Sequence, residues 1–539
     1  MNVTGTTGNE TLTGSSTDDL IEGLGGFDTL NGLAGNDALN GGDGDDVLSG
    51  GSGNDTLTGG AGFDAASYGS TANDGGTKQP TGSGVTVNLK TGTATDNWGD
   101  TDTLTSIEFI HGSAFDDILT GGNPVNDLVE GFRGMGGNDT IDGGSGFDRV
   151  FYDNSPLAIV VTLGGTGSGT ASDGFGGTDT FINIEEVRAS AFNDTLTGSD
   201  SGEFESFEGR AGNDTIDGKG SWDRASYQTS TAAINVNLVT GIAQDGWGGT
   251  DTLLNMEEVR GSAFNDVIIG NSNSNVIEGQ NGDDTMDGGA GIDTLRYDNS
   301  TGNVIVNLAL GNAIGAAGND TLTNFENVRA SNFSDTLTGD NKNNVFRGQA
   351  GDDTIDGGAS VDASEYVNAR SGYTVTKTST GFTVASAAEG SDTLSNIERL
   401  YFSGERVAFD TSGAAGTTAL ILGVLTGKAS LQNKALVGTV LGLVDGGLTL
   451  ANLAELAVTN GIVSNLAGGA DNTSFAKLLL RNLLGSDTNA ALVDTVTGLI
   501  TSGAYTQATL LTTAAGLDAN KVNIDLVGLA QTGLTYTTV

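Results

Sequence analysis

The sequence predicts a mainly β fold, a parallel β-roll or β-solenoid, followed by a small, mostly α-helical C-terminal domain. Three observations lead to this prediction. Gly14–Ser67 consists of six consecutive nine-residue repeats, longer repeat units with an alternating strand continue to residue 402, and the glycine-rich rhythm stops near residue 411. A nine-residue unit with one apolar residue cannot bury that residue alone, so the units are expected to stack on one another.

Each nonapeptide combines a glycine-rich turn with a short strand. Glycine recurs at places one, two and four, where it permits backbone angles that other residues avoid. The eighth place is expected to point inward and holds Ile21, Leu30, Leu39, Leu48, Leu57 and Ala66. The sixth place holds Asp19, Asp28, Asp37, Asp46, Asp55 and Asp64. Carbonyl and carboxylate oxygens in a flexible loop suit calcium better than zinc or copper, so these aspartates are predicted calcium ligands.

The six nonapeptides resemble the repeats of the RTX family, the calcium-binding, glycine-rich proteins that Gram-negative bacteria secrete. The resemblance implies a right-handed parallel β-roll in which two nonapeptides close one coil and neighbouring turns share a calcium ion. It also implies type I secretion with an uncleaved C-terminal signal. The implied location is extracellular, at the cell surface of a Gram-negative bacterium.

A longer unit follows the nonapeptides and recurs through residue 402. It begins with an aspartate and a tyrosine, as in FDAASY (63–68), and continues with an alternating strand that is expected to be half-buried. The five alternating strands lie at 85–89, 159–163, 234–238, 304–308 and 373–377. The unit closes with a TDTL-like segment, first seen at 101–121.

Further nonapeptides lie between these closing segments and the next aspartate–tyrosine motif. Their aspartates are also predicted calcium ligands: Asp117, Asp139, Asp148, Asp214, Asp223, Asp266, Asp284, Asp293, Asp335, Asp353 and Asp362. Asn275 and Asn344 take the aspartate place in two repeats and are expected to bind more weakly, because the amide is uncharged. Asp127 and Asp194 break the nine-residue spacing in the first two long units.

Three sets of aromatic residues recur at equivalent places. We interpret the tyrosines (Tyr68, Tyr152, Tyr227, Tyr297 and Tyr366) and the phenylalanines (Phe115, Phe192, Phe264 and Phe333) as core stacking. Trp98, Phe175 and Trp247 lie in glycine-rich bends that are expected to be exposed. Such a row of exposed aromatics suits sugar rings or a neighbouring subunit.

Composition limits the classes of partner. The chain has 539 residues, no cysteine, 88 glycines, 3 prolines and a formal charge of −46. This charge argues against nucleic acid and anionic membranes as partners, and it predicts a chain that stays unfolded until calcium binds. No run of eighteen apolar residues predicts a transmembrane segment, and Met1–Glu10 is not expected to be a secretory signal.

The sequence predicts no enzymatic activity. The single histidine, His111, falls at the place of Arg188, Arg260 and Arg329 and is interpreted as a variant of that repeat arginine beside Glu108. Neither an HExxH nor a GxSxG motif occurs. The repeated carboxylates form rows rather than a single acid–base pair.

The C-terminal part loses the glycine–aspartate rhythm. Segments 474–485 and 489–503 have helical apolar spacing. Ser486/Asp487 lie between these two segments and are expected to form a helix cap there. Segments 402–416, 475–485 and 498–511 resemble a helical domain family of unassigned function at the ends of secreted RTX and surface-layer proteins. A plain alternative is that this tail covers the last edge of the solenoid and carries the export signal.

Three predicted domains follow: an N-terminal β-roll at 1–68, an extended solenoid at 69–410, and a helical domain at 411–539. The preferred function is a calcium-binding structural protein of the surface-layer or matrix type that self-associates. The alternatives are a calcium-dependent adhesin that binds cell-surface polysaccharide or lipopolysaccharide, and a polysaccharide-modifying enzyme.

Overall fold

The computed structural model describes residues 1–69, 81–122, 129–165 and 167–538; Asp127 lies outside them. The chain forms two compact units. The first contains Met1–Arg296 and Ala317–Phe325, and the second contains Tyr297–Ala316 and Glu326–Val539. The domain boundaries after residues 68 and 410 stay a prediction.

The first unit contains two sheets whose strands pair in parallel with the strand one coil later. Ile21 pairs with Leu39, and Leu39 with Leu57, in the first sheet. Leu30 pairs with Leu48 in the second sheet. Each step is 18 residues, so two nonapeptides close one coil as expected.

The strands of the first unit are short. Those of its first sheet are Asn2–Thr4, Leu20–Gly25, Ala38–Asp43, Thr56–Ala61, Thr86–Asn88, Thr93–Thr95, Thr101–Thr105, Ile118–Thr120, Thr140–Asp142, Val160–Thr162, Gly169–Ser172, Thr178–Ile182, Thr195–Thr197, Thr215–Asp217, Asn235–Asn237, Ile242–Gln244, Thr250–Leu254, Val267–Ile269, Thr285–Asp287 and Gly318–Thr323. Those of its second sheet are Thr11–Thr13, Thr29–Ala34, Val47–Ser52, Ala65–Ser67, Phe109–His111, Val129–Arg133, Phe147–Phe151, Glu186–Arg188, Glu205–Glu208, Asp223–Ser226, Glu258–Arg260, Val276–Glu278 and Thr294–Arg296.

The core of the roll is built from the eighth-place residues, as predicted. Ile21, Leu30, Leu48 and Leu57 are fully buried, and Leu39 is 2 % exposed. Burial of each such side chain contributes roughly 1.5–3 kcal/mol, but only when the next coil covers it. Stacking is therefore the source of the stability of each nonapeptide repeat.

Each long unit inserts an antiparallel meander into the first sheet. In the first copy the meander comprises Thr86–Asn88, Thr93–Thr95 and Thr101–Thr105, joined by antiparallel pairing. Its last strand pairs in parallel with Thr56–Ala61, and its first strand with Ile118–Thr120. The alternating strands are thus confirmed, but their order in the sheet was not predicted, because alternation reports a buried face and not a strand partner.

The second unit repeats this arrangement and ends in helices. The strands of its first sheet are Val304–Asn307, Asn312–Gly315, Thr336–Thr338, Thr354–Asp356, Thr374–Lys377, Gly381–Ser386 and Gly390–Ser395. Those of its second sheet are Asn327–Arg329, Val345–Arg347, Ala363–Glu365, Arg399–Phe402, Glu405–Ala408 and Leu534–Tyr536. The last of these strands pairs antiparallel with Glu405–Ala408 and so covers its edge.

The helical region begins at Ala414. The α-helices are α1 (Ala414–Thr426), α2 (Lys434–Asp445), α3 (Leu450–Thr459), α4 (Ile462–Ala467), α5 (Asn472–Leu484), α6 (Ala490–Thr501), α7 (Gln507–Ala515), α8 (Asp518–Asn523) and α9 (Leu526–Thr532). Two 3-10 helices span Arg370–Gly372 and Lys428–Gln432. The predicted fold class, a mainly β roll followed by a helical C-terminal region, is confirmed.

The two helices expected from apolar spacing correspond to α5 and α6. Asp471 caps α5 by accepting hydrogen bonds from the N–H groups of Thr473 and Ser474. The expected cap at Ser486/Asp487 is wrong. Asn489 caps α6 instead, because its side chain is the one placed to accept the hydrogen bond from Leu492 N–H, at 3.2 Å.

The aromatic rows differ from the prediction in part. The five tyrosines are buried, which confirms their place in the core. Phe192, Phe264 and Phe333 are 44 %, 43 % and 46 % exposed, so their predicted core stacking is wrong. They lie two residues before Asp194, Asp266 and Asp335, in a turn and not in a strand, and therefore point outward.

The bend aromatics are not all exposed either. Phe175 is exposed and Trp247 is half-buried, but Trp98 is only 4 % exposed. In the first bend the backbone N–H of Thr81 donates to the Asn97 carbonyl at 2.7 Å, so the chain entering the meander covers this bend. The expected row of three exposed aromatics is therefore wrong at Trp98.

Alternating charges follow the second sheet of the first unit. Arg149 pairs with Glu186 at 2.8 Å and Arg296 with Glu258 at 2.9 Å. Arg224 lies between these two glutamates, 3.9 Å from Glu186 and 3.5 Å from Glu258. Because strands one coil apart are in register, Arg149 and Arg224 each meet a glutamate of the next coil. Arg296 reaches Glu258 across the intervening strand Val276–Glu278, and the row stabilises the stacking.

A buried ion pair joins the last coil of the second unit to its helical region. Arg399 is 1 % exposed, pairs with Asp410, and approaches Asp445 at the end of α2 to 3.3 Å. Removal of one partner of a buried pair leaves the other charge uncompensated, which costs about 3–5 kcal/mol.

We expect Arg399→Leu to lower the free energy of unfolding by about 3–5 kcal/mol, because Asp410 is then buried without its cation. The measurement is urea unfolding of the full chain in saturating calcium. The matched control is Lys521→Ala, which breaks the exposed pair with Asp518 and should change stability little. Equal effects of the two variants would contradict the assignment.

Candidate metal centres

Glycine determines the shape of the nonapeptide turn at two places. At place four, Gly44 has φ of +122°, and a Cβ there would lie 2.0 Å from the Gly26 carbonyl oxygen. At place one, a Cβ on Gly41 would lie 2.2 Å from Asp46 Oδ2. Any other residue would collide with the coil before it or with the aspartate, so the glycine pattern is a packing requirement.

The sixth-place aspartates form hydrogen-bonded ladders along the stack. The backbone N–H of Asp19 donates to Asp37 Oδ1, that of Asp37 to Asp55 Oδ1, and that of Asp28 to Asp46 Oδ1, each at 2.7 Å. The same bond links Asp46 to Asp64, Asp117 to Asp139, Asp194 to Asp214, Asp266 to Asp284, Asn275 to Asp293, Asp335 to Asp353 and Asn344 to Asp362. Each bond occupies one oxygen of the accepting carboxylate and leaves the other oxygen out of the ladder.

The second oxygen of most ladder aspartates is buried and accepts no hydrogen bond from the described part of the chain. This holds for Asp28, Asp37, Asp46, Asp55, Asp64, Asp139, Asp148, Asp214, Asp223, Asp284, Asp353 and Asp362. None of these residues is more than 2 % exposed. A buried carboxylate with an unused oxygen is costly unless a cation or a proton neutralises it.

A carbonyl oxygen of the next coil faces the same space as the unused carboxylate oxygen. A Cβ on Gly23 would lie 2.4 Å from Asp28 Oδ2 and 2.5 Å from the Gly41 carbonyl oxygen. Carboxylate and carbonyl oxygens from successive turns are the donor set that calcium prefers. Across the described ranges, no three or more acidic or histidine side chains form a group suited to a metal, so backbone carbonyls would supply most ligands.

Burial raises the pKa of most ladder carboxyl groups, and neighbouring carboxylates raise it further. The pKa of Asp55 rises from 3.8 to about 8, chiefly through desolvation and then through the charges of Asp102 and Asp37. The pKa also rises to about 8 at Asp139, Asp148, Asp214, Asp284 and Asp353, to about 7 at Asp223 and Asp362, and to about 6 at Asp37 and Asp64.

Serine satisfies the aspartate that begins each ladder segment. Ser262 donates its N–H to Asp266 Oδ2 at 2.6 Å and its hydroxyl to Asp266 Oδ1 at 2.7 Å. The same cap is found at Asp19, Asp117, Asp194 and Asp335. Calcium binding by all of the predicted ligands stays a prediction. Asp19, Asp117, Asp266 and Asp335 are weaker candidates than the other aspartates, because protein donors already occupy their oxygens.

The ladders also contain acidic residues that the sequence analysis did not select. The N–H of Asp55 donates to Asp102 Oδ1, and the N–H of Asp64 donates to Glu108 Oε2, each at 3.0 Å. The equivalent residues are Asp179, Asp251, Asp320, Asp392, Glu185, Glu257 and Glu398. Their signal was present, since a DT pair with a glutamate six residues after its aspartate recurs in every long unit.

The tyrosine row supports the ladder where the meander returns. The Tyr152 hydroxyl donates to Asp179 Oδ2 at 2.8 Å, and the Tyr227 hydroxyl to Asp251 Oδ2 at 3.1 Å. These two aspartates therefore have protein donors on both oxygens. His111 has a packing role: its Nε2 lies 3.0 Å from Arg133 Nη1, and burial lowers its pKa to about 4. Its partner is Arg133 and not the adjacent Glu108.

Comparisons with known proteins agree with this geometry. A family model described as RTX calcium-binding nonapeptide repeat (4 copies) matches residues 4–39, 31–65, 103–123, 132–151, 202–225, 260–295 and 329–362. No curated protein matches the chain. Among the described helices no single one is long and apolar enough to cross a membrane; only α2 and α3 together, bent by 120°, meet the same criteria.

The raised pKa values predict a pH dependence. Because the carboxyl pKa values are above those of the unfolded chain, the metal-free fold binds more protons than the unfolded chain between pH about 4 and 8. Its stability is therefore highest in acid and is lost as pH rises through this range. With a chelator, circular dichroism should show more β structure at pH 5 than at pH 8. In excess calcium this difference should disappear or reverse, and a chelated chain with the same β content at both pH values would contradict the prediction.

Substitution of the two kinds of ladder aspartate should affect calcium binding differently. Asp284→Asn removes a carboxylate with an unused oxygen and should weaken that site by ~10-fold or more, so that native mass spectrometry at submillimolar calcium counts one ion fewer. The matched control, Asp266→Asn, changes a serine-capped residue of the same ladder and should leave the ion count unchanged. An equal loss in both variants would show that the serine cap does not distinguish them.

Proposed function

Since the chain belongs to the RTX calcium-binding repeat proteins, we propose that it is a secreted structural protein of the cell surface or extracellular matrix, which folds and assembles when it binds calcium. RTX repeat proteins are typically secreted from Gram-negative bacteria. The observation that carries the proposal is the row of buried aspartate oxygens without hydrogen-bond partners in the described chain, which recurs coil after coil. Such a row suits an extended scaffold better than a single reaction centre.

Calcium acts as the folding signal in this proposal. The chain carries a formal charge of −46, and its ladder carboxylates repel one another when they are ionised. At neutral pH the buried ladder is therefore unstable without a cation, and ion binding supplies folding free energy. Extracellular calcium modules bind with dissociation constants of about 10⁻⁴–10⁻³ M, so the chain would stay unfolded in the cytoplasm and fold after export.

The exposed phenylalanines support a second candidate function, a calcium-dependent adhesin that binds cell-surface polysaccharide or lipopolysaccharide. Phe192, Phe264 and Phe333 occupy equivalent turns and present roughly half of each side chain to solvent. Exposed aromatic faces suit sugar rings, and they also suit contact with another copy of the chain. A non-enzymatic role is common to both candidates.

The decisive experiment is a calcium titration of the full chain. Circular dichroism and light scattering after size exclusion are followed from a chelated baseline to about 10 mM calcium, above the usual range of extracellular sites. We expect a transition from coil to β structure followed by growth into large species. Magnesium is the matched control and should not produce the transition at the same concentration.

Substitution of Phe192, Phe264 and Phe333 by serine separates the two candidates. If the variant folds in calcium but no longer grows, the phenylalanine row is an assembly surface. If wild type folds, stays monomeric and binds a glycan that the variant does not bind, the adhesin is favoured. Folding without metal, or equally in magnesium, would overturn the calcium proposal.

A further inference from the structure

The bends of the second and third meanders contain an aspartate outside the nonapeptide pattern. It lies six residues before the ladder aspartate: Asp173 before Asp179, and Asp245 before Asp251. Neither bend falls within the segments that match the repeat model. Both side chains are fully buried, which is unusual for a residue of a glycine-rich bend.

One oxygen of each bend aspartate holds the backbone of the bend. Asp173 Oδ1 accepts hydrogen bonds from the N–H groups of Phe175, Gly176 and Gly177, each at 2.8 Å. Asp245 Oδ1 accepts the three equivalent bonds, from Trp247, Gly248 and Gly249, at 2.8–2.9 Å. A neutral asparagine would hold this backbone equally well, so the bend does not by itself require a charge.

The other oxygen of each bend aspartate accepts no hydrogen bond from the described residues. A Cβ on Gly177 would lie 2.8 Å from Asp173 Oδ2 and 1.7 Å from the Gly137 carbonyl oxygen. A Cβ on Gly249 would lie 2.7 Å from Asp245 Oδ2 and 1.6 Å from the Gly212 carbonyl oxygen. In both bends a carboxylate oxygen and a carbonyl oxygen of the preceding coil thus face one small space, which glycine leaves open.

We propose that Asp173 and Asp245 are ligands of two further calcium sites, each formed by the bend carboxylate and carbonyl oxygens of the coil before it. The sites rest on the proposed function only in that the chain binds calcium. A buried carboxylate with an unused oxygen is costly unless a cation or a proton neutralises it, and the donors that surround this space are oxygens, which suit calcium. Arg210, which lies over the Trp247 ring of the third bend, donates to the Asp153 carbonyl oxygen.

The other three copies of the unit provide an internal comparison. The first copy has Asp96 but carries Asp100 where the later bends have Gly177 and Gly249, and Asp100 Oδ2 accepts a bond from Gly53 N–H at 3.1 Å. The fourth and fifth copies carry Ile314 and Ser386 at the aspartate place. The carboxylate and the glycine therefore occur together only in the second and third copies, which limits the proposed sites to two.

The test counts calcium ions bound to the full chain by native mass spectrometry and by equilibrium dialysis at saturating calcium. Asp173→Asn and Asp245→Asn keep the Oδ1 acceptor and remove the charge, so each variant should bind one ion fewer than wild type, and the double variant two fewer. The matched control is Asp200→Asn at an exposed position, which should keep the wild-type count. Circular dichroism in calcium verifies the fold of each variant.

A terbium measurement provides a second readout in the third bend. Terbium bound beside Trp247 should emit when tryptophan is excited, and Asp245→Asn should remove that part of the emission while Asp173→Asn keeps it. If the double variant does not fold, the single variants and terbium decide the question. Folded single variants that retain the wild-type ion count and terbium emission would overturn the two sites and leave the proposed function intact. A wild-type chain that binds no calcium would instead refute the proposed function.

Discussion

The fold depends on the placement of a buried carboxylate in most turns of the roll. One oxygen of the ladder aspartate accepts the backbone N–H of the turn one coil earlier, which keeps successive coils in register. The other oxygen is held inside, where desolvation makes its charge costly. The same side chain therefore fixes the geometry of the stack and places inside it a charge that a cation would neutralise.

The apolar core and the ion pairs add to this constraint without replacing it. The eighth-place residues are buried only when the neighbouring coil is present, and the Arg149–Glu186 pair also joins neighbouring coils. Both contributions come from nearest neighbours, so the roll gains stability coil by coil. The helical region differs, since its core of residues such as Phe475 and Leu511 is gathered from many helices.

Much of the fold and of the candidate site was predictable from the sequence because the repeat is short and strict. A nine-residue phase determines which residue enters the core and which carboxylate faces the turn, and both expectations agree with Leu48 and Asp46. The meander order, the serine caps and the outward Phe264 were not predictable, because they depend on which strand becomes the neighbour. Asp251 was missed for a related reason: its motif was visible, but only stacking places it in the ladder.

The serine-capped aspartates give the chain a modular construction. After each meander the first aspartate, such as Asp266, is satisfied by Ser262 of its own turn and by the N–H of Ile234 in the meander before it. Each run of turns therefore begins without needing an earlier nonapeptide to complete it. Whole units can be duplicated or lost in evolution without leaving a half-formed turn at the junction, so the length of the protein can change while its chemistry stays the same.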